Sequence, residues 1–296
     1  VCTRHIAANT ACMPSRASLL TGLYPPAHNV WCNGVALPRA EYAVYRPHRG
    51  VAHMQPEPPT LADVFADAGY DTASFGKLHL TPNLAPVEVG YQETWAAWAD
   101  GRLDDWHGPY YGFRYVDMTE GHGEQPCRGG HYGAWLQREH AEVYDAVQDR
   151  DARERPVDGL DDLYASPVPH ELHNSNWLAG RFASYLTSER PMDRPFFAFV
   201  GFPDPHHPFT PSYDVLEEFA AHPVPEPHDS TGEAWAADRP WLAGMTTDIR
   251  HLGADAWQAI RRYTYAQVNQ VDRAVGRMLT ALDDAGLADN TIVVFT

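Results

Sequence analysis

Three segments of the chain have the apolar pattern of strands. Residues 195–202 form a continuous apolar run, which is typical of a parallel strand buried on both faces of a sheet. Residues 70–75 predict a short strand, and residues 290–296 predict a last buried strand. The pattern therefore indicates a sheet with buried strands.

Three segments keep the period of an amphipathic helix, over residues 60–69, 174–188 and 255–285. Thr60 can cap the first of these helices, and Gly69 stops it. Their expected buried faces are Leu61, Val64, Phe65 and Ala68 in the first helix, Trp177, Leu178, Phe182, Tyr185 and Leu186 in the second, and Ile260, Tyr263, Ala266, Val271, Val275, Met278, Leu279 and Leu282 in the third. Helices that alternate with strands predict an α/β fold.

The remaining stretches have little periodicity. Residues 23–58 contain many Pro, Gly and His and predict a surface loop. Residues 90–175 and 210–255 predict loop-rich insertions that shape a pocket. Most aromatic side chains of the first insertion are expected to pack within it, while its segments 121–124 and 129–132 could line the pocket.

Length and charge limit the class of function. A chain of 296 residues can form one large α/β domain or two small ones, and 44% of its residues are hydrophobic. The formal net charge of −17 argues against a nucleic-acid partner, because no basic surface is available to hold phosphates. No apolar run is long enough to span a membrane, so we expect no membrane partner.

Residues 11–22 predict a loop that enters a helix. Pro14 suits the first helical turn, and Gly22 suits the end of the helix. A helix N-terminus favours an anion, because its first N–H groups have no partners in the helix. Cys12 lies just before this end, and Arg16 can reach back toward it from the next turn. The alternative is that Cys12 is a small buried hydrophobic residue.

Two further groups of basic residues follow predicted strands. The chain has 21 arginines and a single lysine, Lys77, which follows Gly76 at the end of the strand at 70–75. His79 would point to the same side as Lys77 if the backbone stays extended there. His206 and His207 follow the run at 195–202. Ligands of open α/β sheets bind beyond the carboxyl ends of strands, but all four residues could also be ordinary surface or core residues.

The segment 12–22, Cys-x-Pro-Ser-Arg-x-x-Leu-Leu-Thr-Gly, resembles the signature of the type I sulfatases in the alkaline phosphatase superfamily. Residues 76–79 are similar to the Gly-Lys-Trp-His element of that family, with Leu78 in place of Trp. Residues 205–208 resemble its Pro-His-x-Pro element. The resemblance implies an alkaline phosphatase-like sandwich, in which helices flank a mixed, mostly parallel sheet that is incomplete at both ends.

The same resemblance implies a set of site residues. Cys12 would be oxidised to formylglycine by a formylglycine-generating enzyme, and as formylglycine it would also be a metal ligand. The catalytic residues would be Cys12, Arg16, Lys77, His79 and His206, and the substrate-binding residues Asn33 and His207. The cofactor would be Ca²⁺ or Mg²⁺, and the substrate a small-molecule or carbohydrate sulfate ester, with a sugar or aryl organic portion.

The resemblance also implies a mechanism. The hydrated formylglycine would attack sulfur, while Lys77 and His206 neutralise the sulfate oxygens. His206 would protonate the leaving oxygen. His79 would accept the proton of the second hydroxyl, whose collapse to the aldehyde releases sulfate.

We expect residues 1–296 to be the central part of one sulfatase catalytic domain. In the family, a strand ending in paired Asp residues precedes the Cys segment, and an Asp-His/Asn-Gly segment follows the strand predicted at 290–296. Both would lie outside this chain, together with the other metal ligands. We therefore expect this stretch alone to bind no metal tightly and to be inactive or nearly so.

Two alternative functions share these motifs. A phosphonate monoester or phosphodiester hydrolase would use the same scaffold and the same modified cysteine. A truncated relative without catalysis would hold anions or sugars only. The sequence leaves the cellular location open between exported and cytoplasmic.

Overall fold

The computed structural model describes residues 5–42, 44–46, 50–52, 57–149, 153–220, 222–225 and 252–296. The start of the first predicted loop, parts of the predicted loop at 23–58 and most of the predicted insertion at 210–255 lie outside the described residues.

The described part of the chain contains two sheets. A small antiparallel pair is formed by β1 (Val44–Arg46) and β2 (Gly50–Ala52). The central sheet has the strand order β4-β3-β5, where β3 is Asp71–Gly76, β4 is Tyr115–Met118 and β5 is Phe196–Gly201. Both neighbours run parallel to β3, so the carboxyl ends of all three strands lie at one edge.

The helices surround this sheet. They are α1 (Cys12–Thr21), α2 (Pro25–His28), α3 (Leu61–Asp67), α4 (Trp95–Ala99), α5 (Gly130–Glu139), α6 (Ala141–Gln148), α7 (Asn174–Ser184), α8 (Tyr213–Phe219) and α9 (Ala254–Asp284). Short 3-10 turns cover Val87–Val89, Gln125–Arg128, His170–Leu172 and Ala288–Asn290, and a π turn, Tyr185–Glu189, extends α7.

Alternating side chains of the sheet pack into two apolar layers. On one face, Phe197 and Phe199 contact the cluster that contains Met13 and Leu20 of α1. On the other face, Phe75 packs with side chains of α7 and α9. Successive residues of a strand point to opposite faces, so both faces are covered by helices. The predicted α/β sandwich is confirmed.

The ends of β3 and β5 approach each other closely. Gly76 has a φ of 92°, and a Cβ there would overlap the carbonyl oxygen of Gly201. A Cβ on Gly201 would in turn overlap the carbonyl oxygen of Lys77. The N–H of Lys77 donates to the Gly201 oxygen at 2.7 Å. The two glycines therefore let the strand tips meet where the candidate site begins.

Three helix predictions are confirmed in outline. Thr60 and Asp63 form a capping box at the start of α3, and the predicted helices at 174–188 and 255–285 match α7 and α9. Of the predicted face of this helix and its π turn, Leu178, Phe182, Tyr185 and Leu186 are buried, whereas Trp177 is half-buried. In α9, Leu279 of the predicted face is 43% exposed, whereas Gln267 and Gln270 are buried, which apolar periodicity alone did not indicate.

The predicted buried face of α3 was wrong in part. Leu61 and Val64 are 42% and 56% exposed, whereas Ala62 is buried. Phe65 stacks on Phe197 of β5, with ring centroids 4.5 Å apart. The helix is short and contacts the sheet through a small residue and one ring, so the larger aliphatic side chains stay in solvent.

Two strand predictions also need correction. Residues 291–296 form no strand within the described structure, and Ile292 and Phe295 are 92% and 79% exposed, because no described strand lies beside them to accept their backbone hydrogen bonds. Five of the six residues of β5 are only half-buried, because β5 lies at an edge of the described sheet.

The stretch 90–175 is more regular than its composition indicates. It contains strand β4, which pairs with β3, and the helices α4, α5 and α6. Several of its aromatic residues, among them Tyr110 and Tyr132, are fully buried, as expected for residues that pack rather than bind.

None of the described helices is both long enough and apolar enough to cross a membrane.

Gly76→Ala should destabilise the protein by about 3 kcal/mol or more, because the new Cβ would force apart the backbones of β3 and β5. Gly69→Ala is the matched control, since Gly69 also has a positive φ, 86°, but a Cβ there meets nothing within 4 Å. The control should cost only about 1–2 kcal/mol. Denaturant unfolding of both variants measures the difference, and equal losses would contradict the close approach.

Candidate functional site

The site begins at the N-terminus of α1, where Cys12 is the first helical residue and is half-buried. The preceding residue offers no side-chain cap. Instead, the side-chain oxygen of Asn33 accepts from the N–H of Met13 at 3.0 Å. This contact fixes the start of the helix, so the Oδ1 atom of Asn33 serves α1. Its predicted contact with substrate stays a prediction.

Arg16 ties α1 to the end of β3. Its Nη1 donates to the carbonyl oxygen of Lys77 at 2.6 Å. Burial lowers the pKa of Arg16, but a guanidinium remains charged at neutral pH. The residue therefore supplies a positive charge near Cys12 and also holds the backbone that carries Lys77.

Lys77 lies directly after β3 and is only 4% exposed. Its ammonium lies 2.6 Å from Nδ1 of His122. Burial, and then the charge of Arg16, lowers the pKa of Lys77 to about 8. At neutral pH the side chain is therefore still mostly an ammonium.

His206 approaches the site from the segment after β5. Its Nε2 lies 3.9 Å from Sγ of Cys12, although 194 residues separate the two in sequence. Its Nδ1 is hydrogen-bonded to the carbonyl oxygen of His207, and only a protonated Nδ1 can donate there. In the neutral ring, Nε2 therefore presents its lone pair to position 12. Burial is the main cause that lowers the pKa of His206, and the neighbouring cations lower it further.

His79 is buried beside these residues, but its backbone is not in the extended conformation that the sequence analysis assumed. Its φ is 56°, so the backbone is left-handed rather than extended at this position. Its ring centroid lies 6.2 Å from that of His122. Burial and the nearby cations keep the pKa of His79 well below 6.5, so the ring is neutral. Its Nδ1 has no hydrogen-bond partner among the described atoms.

His122 completes the cluster. Its ring stacks on that of His206, with centroids 3.7 Å apart and planes 9° from parallel. Burial, followed by the charge of Lys77, lowers its pKa to about 3. The sequence placed it only in a segment that could line a pocket, because no motif marks it. In the second such segment, His131 is buried, and its ring contacts the backbone of Met118 and Trp106.

His207 lies on the solvent side of this cluster, with its ring centroid 4.3 Å from that of His206. Its side chain is 63% exposed, and its Nδ1 lies 3.6 Å from a carboxylate oxygen of Asp162, which is exposed as well. Such an exposed pair contributes little to stability. A contact between His207 and substrate stays a prediction.

Two buried carboxyl groups lie behind the basic residues. Glu93 accepts from the N–H groups of Leu80 and Thr81 at 2.8 and 3.2 Å and from the hydroxyl of Tyr110 at 2.8 Å. Burial raises the pKa of Glu93 to about 7. Burial and the charge of Glu93 raise the pKa of Glu120 well above its ordinary value. Glu93 thereby braces the turn that carries His79.

Among the described residues, one group has the side chains of a metal site, namely His107, Asp117 and His131. Both ring nitrogens of His131 are already used, by the N–H of Met118 at 2.9 Å and the oxygen of Trp106 at 2.6 Å. Asp117 is paired with Arg181 at 2.7 Å. This group is therefore a structural network.

The surroundings of Cys12 do not suit a hard cation. The neighbouring groups that the structure describes are an ammonium, a guanidinium and imidazoles, whereas Ca²⁺ and Mg²⁺ take oxygen ligands. Such an ion at position 12 would need oxygen ligands from outside the described residues.

Comparison with known proteins finds a family model and relatives that match most of this chain. The profile of the family described as "Sulfatase" matches residues 1–296. The chain is 30% identical over 294 residues to an endo-4-O-sulfatase of Bacteroides thetaiotaomicron, an alignment that covers 95% of this chain and 46% of the relative. It is 28% identical over 308 residues to the multifunctional alkaline phosphatase superfamily protein PehA of Trinickia caryophylli, over 99% of this chain and 53% of the relative. The chain thus spans about half the length of these curated relatives.

Solved structures share the fold. The phosphonate monoester hydrolase of Agrobacterium radiobacter superposes with a TM-score of 0.66 at 24% identity, over 98% of this chain and 53% of that chain. A protein in complex with its substrate D-glucosamine-2-N,6-O-disulfate superposes with a TM-score of 0.53 at 18% identity, over 96% of this chain and 55% of that chain. At these identities the likeness shows the fold alone.

The ammonium of Lys77 should lose its proton near pH 8 instead of at the ordinary 10.5, because burial and Arg16 disfavour the charge. Lys77 is the single lysine among these 296 residues, and its Nζ resonance can be followed by NMR in full-length protein labelled with ¹⁵N-lysine. Lys77→Met should remove the resonance, and unfolded protein should titrate normally. A native midpoint near 10.5 would contradict the buried, cation-flanked position.

Proposed function

Because the chain belongs to the sulfatase family, we propose that the full-length protein is a sulfuric ester hydrolase that releases sulfate from an organic sulfate. The observation that carries this proposal is the convergence of basic groups on position 12. Nε2 of His206 lies 3.9 Å from the Cys12 sulfur. Arg16 is in the same helix as Cys12, and it donates to the backbone carbonyl oxygen of Lys77. A sulfated sugar or an aryl sulfate is the substrate class.

The charge of the site suits an ester anion. The chain as a whole is acidic, with a formal net charge of −17, yet Arg16 and Lys77 place two positive charges next to a helix N-terminus. In a partly buried site such charges stabilise oxyanions more than they would in water. His79 adds a buried Nδ1 that has no described partner and can contact a ligand.

We expect a formylglycine-generating enzyme to convert Cys12 to formylglycine, and the position fits that modification. The side chain is half-buried at the first residue of α1 and faces the unprotonated Nε2 of His206. When hydrated, the aldehyde supplies one hydroxyl that can attack sulfur and a second that can expel the product. A hydroxyl group of the hydrated aldehyde could donate a hydrogen bond to Nε2 of His206.

His206 and His79 carry out different proton transfers. The lone pair of His206 Nε2 can take up a proton, and a bound anionic ester favours this charged form. His206, once protonated, is the general acid that gives this proton to the leaving oxygen. His79 is neutral in its buried position and is the base for the later deprotonation. Lys77 and Arg16 hold the sulfate oxygens through both steps.

The alternative substrate class is a phosphonate monoester or a phosphodiester. Sulfate esters, phosphonate monoesters and phosphodiesters all carry one negative charge at neutral pH, so the basic cluster does not separate them. The chain shares its fold with a phosphonate monoester hydrolase, so the experiment has to include this substrate class. Parallel rates on an aryl sulfate and on an aryl phosphonate of the same leaving group decide between them.

Replacing the nucleophile should abolish turnover. Cys12→Ala in the full-length protein, produced together with a formylglycine-generating enzyme and assayed with Ca²⁺, should release no sulfate from an aryl sulfate. Peptide mass analysis of the wild-type protein should find an aldehyde at position 12. Undiminished sulfate release by the alanine variant would overturn the proposal, and a wild-type protein that only binds sulfate would favour the non-catalytic alternative.

Substitutions of the adjacent residues His206 and His207 give a matched pair of variants that tests which histidine is the general acid. His206→Ala should lower kcat/KM by about 10²–10⁴-fold, because the proton donor is lost. His207→Ala should have the smaller effect, below about tenfold, because that side chain is exposed and faces Asp162, although its ring also contacts that of His206. Both are measured with the same aryl sulfate. A larger loss in the His207 variant would reverse the assignment of the two rings.

A further inference from the structure

His122 links two residues of the proposed site that come from different strands. Its Nδ1 is 2.6 Å from the Lys77 ammonium, which follows β3. Its ring stacks at 3.7 Å on His206, which follows β5. His122 therefore occupies the gap between the two strand tips.

The direction of the hydrogen bond between Lys77 and His122 shows which nitrogen of the His122 ring carries the proton. An ammonium can only donate, so Nδ1 of His122 accepts and the ring proton sits on Nε2. A protonated His122 would direct an N–H at Lys77, and its other charged or titratable neighbours are Arg16, His79, His206 and His207. All of these disfavour a further positive charge. The ring is thus a neutral acceptor on one edge and a stacking face for His206.

The segment around His122 is built to close on the His206 segment. Gly123 has a φ of 54°, and a Cβ there would lie 2.7 Å from both Cγ and the carbonyl oxygen of Pro208. The N–H of His122 donates to the side-chain oxygen of Gln125 at 3.0 Å. A larger residue at position 123 would therefore push the two segments apart, and the backbone of His122 is held in place.

We propose that His122 is a positioning residue that holds the Lys77 ammonium and the His206 ring in one arrangement facing position 12. This inference rests on the proposed function for its kinetic consequences. The contacts themselves do not depend on it. His122 orients Lys77 through its Nδ1 acceptor and orients His206 through its ring face, so the two roles are separable by substitution.

Two substitutions separate them. His122→Asn keeps an acceptor where Nδ1 lies but removes the ring, whereas His122→Phe keeps the ring but removes the acceptor. In the full-length protein with an aryl sulfate, the Asn variant should lower kcat about three- to tenfold with KM unchanged, because His206 loses its stack. The Phe variant should raise KM about tenfold or more, because the ammonium loses its charged hydrogen bond. His122→Ala should show both losses.

A second readout is independent of hydrolysis. In full-length protein labelled with ¹⁵N-lysine, the Nζ resonance of Lys77 should be close to wild type in His122→Asn and displaced in His122→Phe and His122→Ala. Far-ultraviolet circular dichroism checks that each variant is folded. If the Phe variant fails to fold, the Asn and Ala variants still give the contrast in Lys77.

The outcomes are distinct. Opposite kinetic effects of Asn and Phe, with the Lys77 resonance following the acceptor, support the inference. Indistinguishable Asn and Phe variants, or an Ala variant with wild-type kcat, KM and Lys77 resonance, overturn it. If the wild-type protein hydrolyses no sulfate ester, the proposed function fails, and the Lys77 resonance alone then supports or overturns the contact between His122 and Lys77.

Discussion

The site depends on the close approach of β3 and β5 at their carboxyl ends. Gly76 and Gly201 face each other with no room for a Cβ, and the N–H of Lys77 donates across the gap to Gly201. Arg16 then donates to the carbonyl oxygen of the same Lys77 peptide at 2.6 Å. One backbone position therefore joins α1, β3 and β5, and the side chains of all three elements meet at Cys12.

That junction concentrates positive charge in an acidic protein. Buried ammonium and guanidinium groups are costly unless they are hydrogen-bonded or face an anion. Here the cost is visible as the lowered pKa of Lys77, to about 8, and as histidines that remain neutral. Burial also raises the pKa of Glu93 to about 7, so this carboxyl group is only partly ionised at neutral pH. An ester anion would complete the charge balance that these residues leave open.

The candidate site residues that lie in short, contiguous motifs could be predicted from the sequence. Cys12, Lys77 and His206 each follow a signal that a single sequence can carry, a helix start or the end of an apolar strand. The contact of His122 with them depends on how residues 90–175 cross the sheet, and that stretch has no period that predicts its path. The buried strand expected at 290–296 failed for a related reason, since an apolar run defines a strand only when a partner lies beside it.

A crystal structure of the full-length protein with bound inorganic sulfate tests the central claim most directly. The claim is that basic groups from three elements form one oxyanion pocket at position 12. The sulfate oxygens should contact the Lys77 ammonium and the His206 ring next to residue 12. Sulfate bound elsewhere while this pocket holds only solvent at saturating concentration, or a Lys77 side chain turned away from residue 12, would contradict the account.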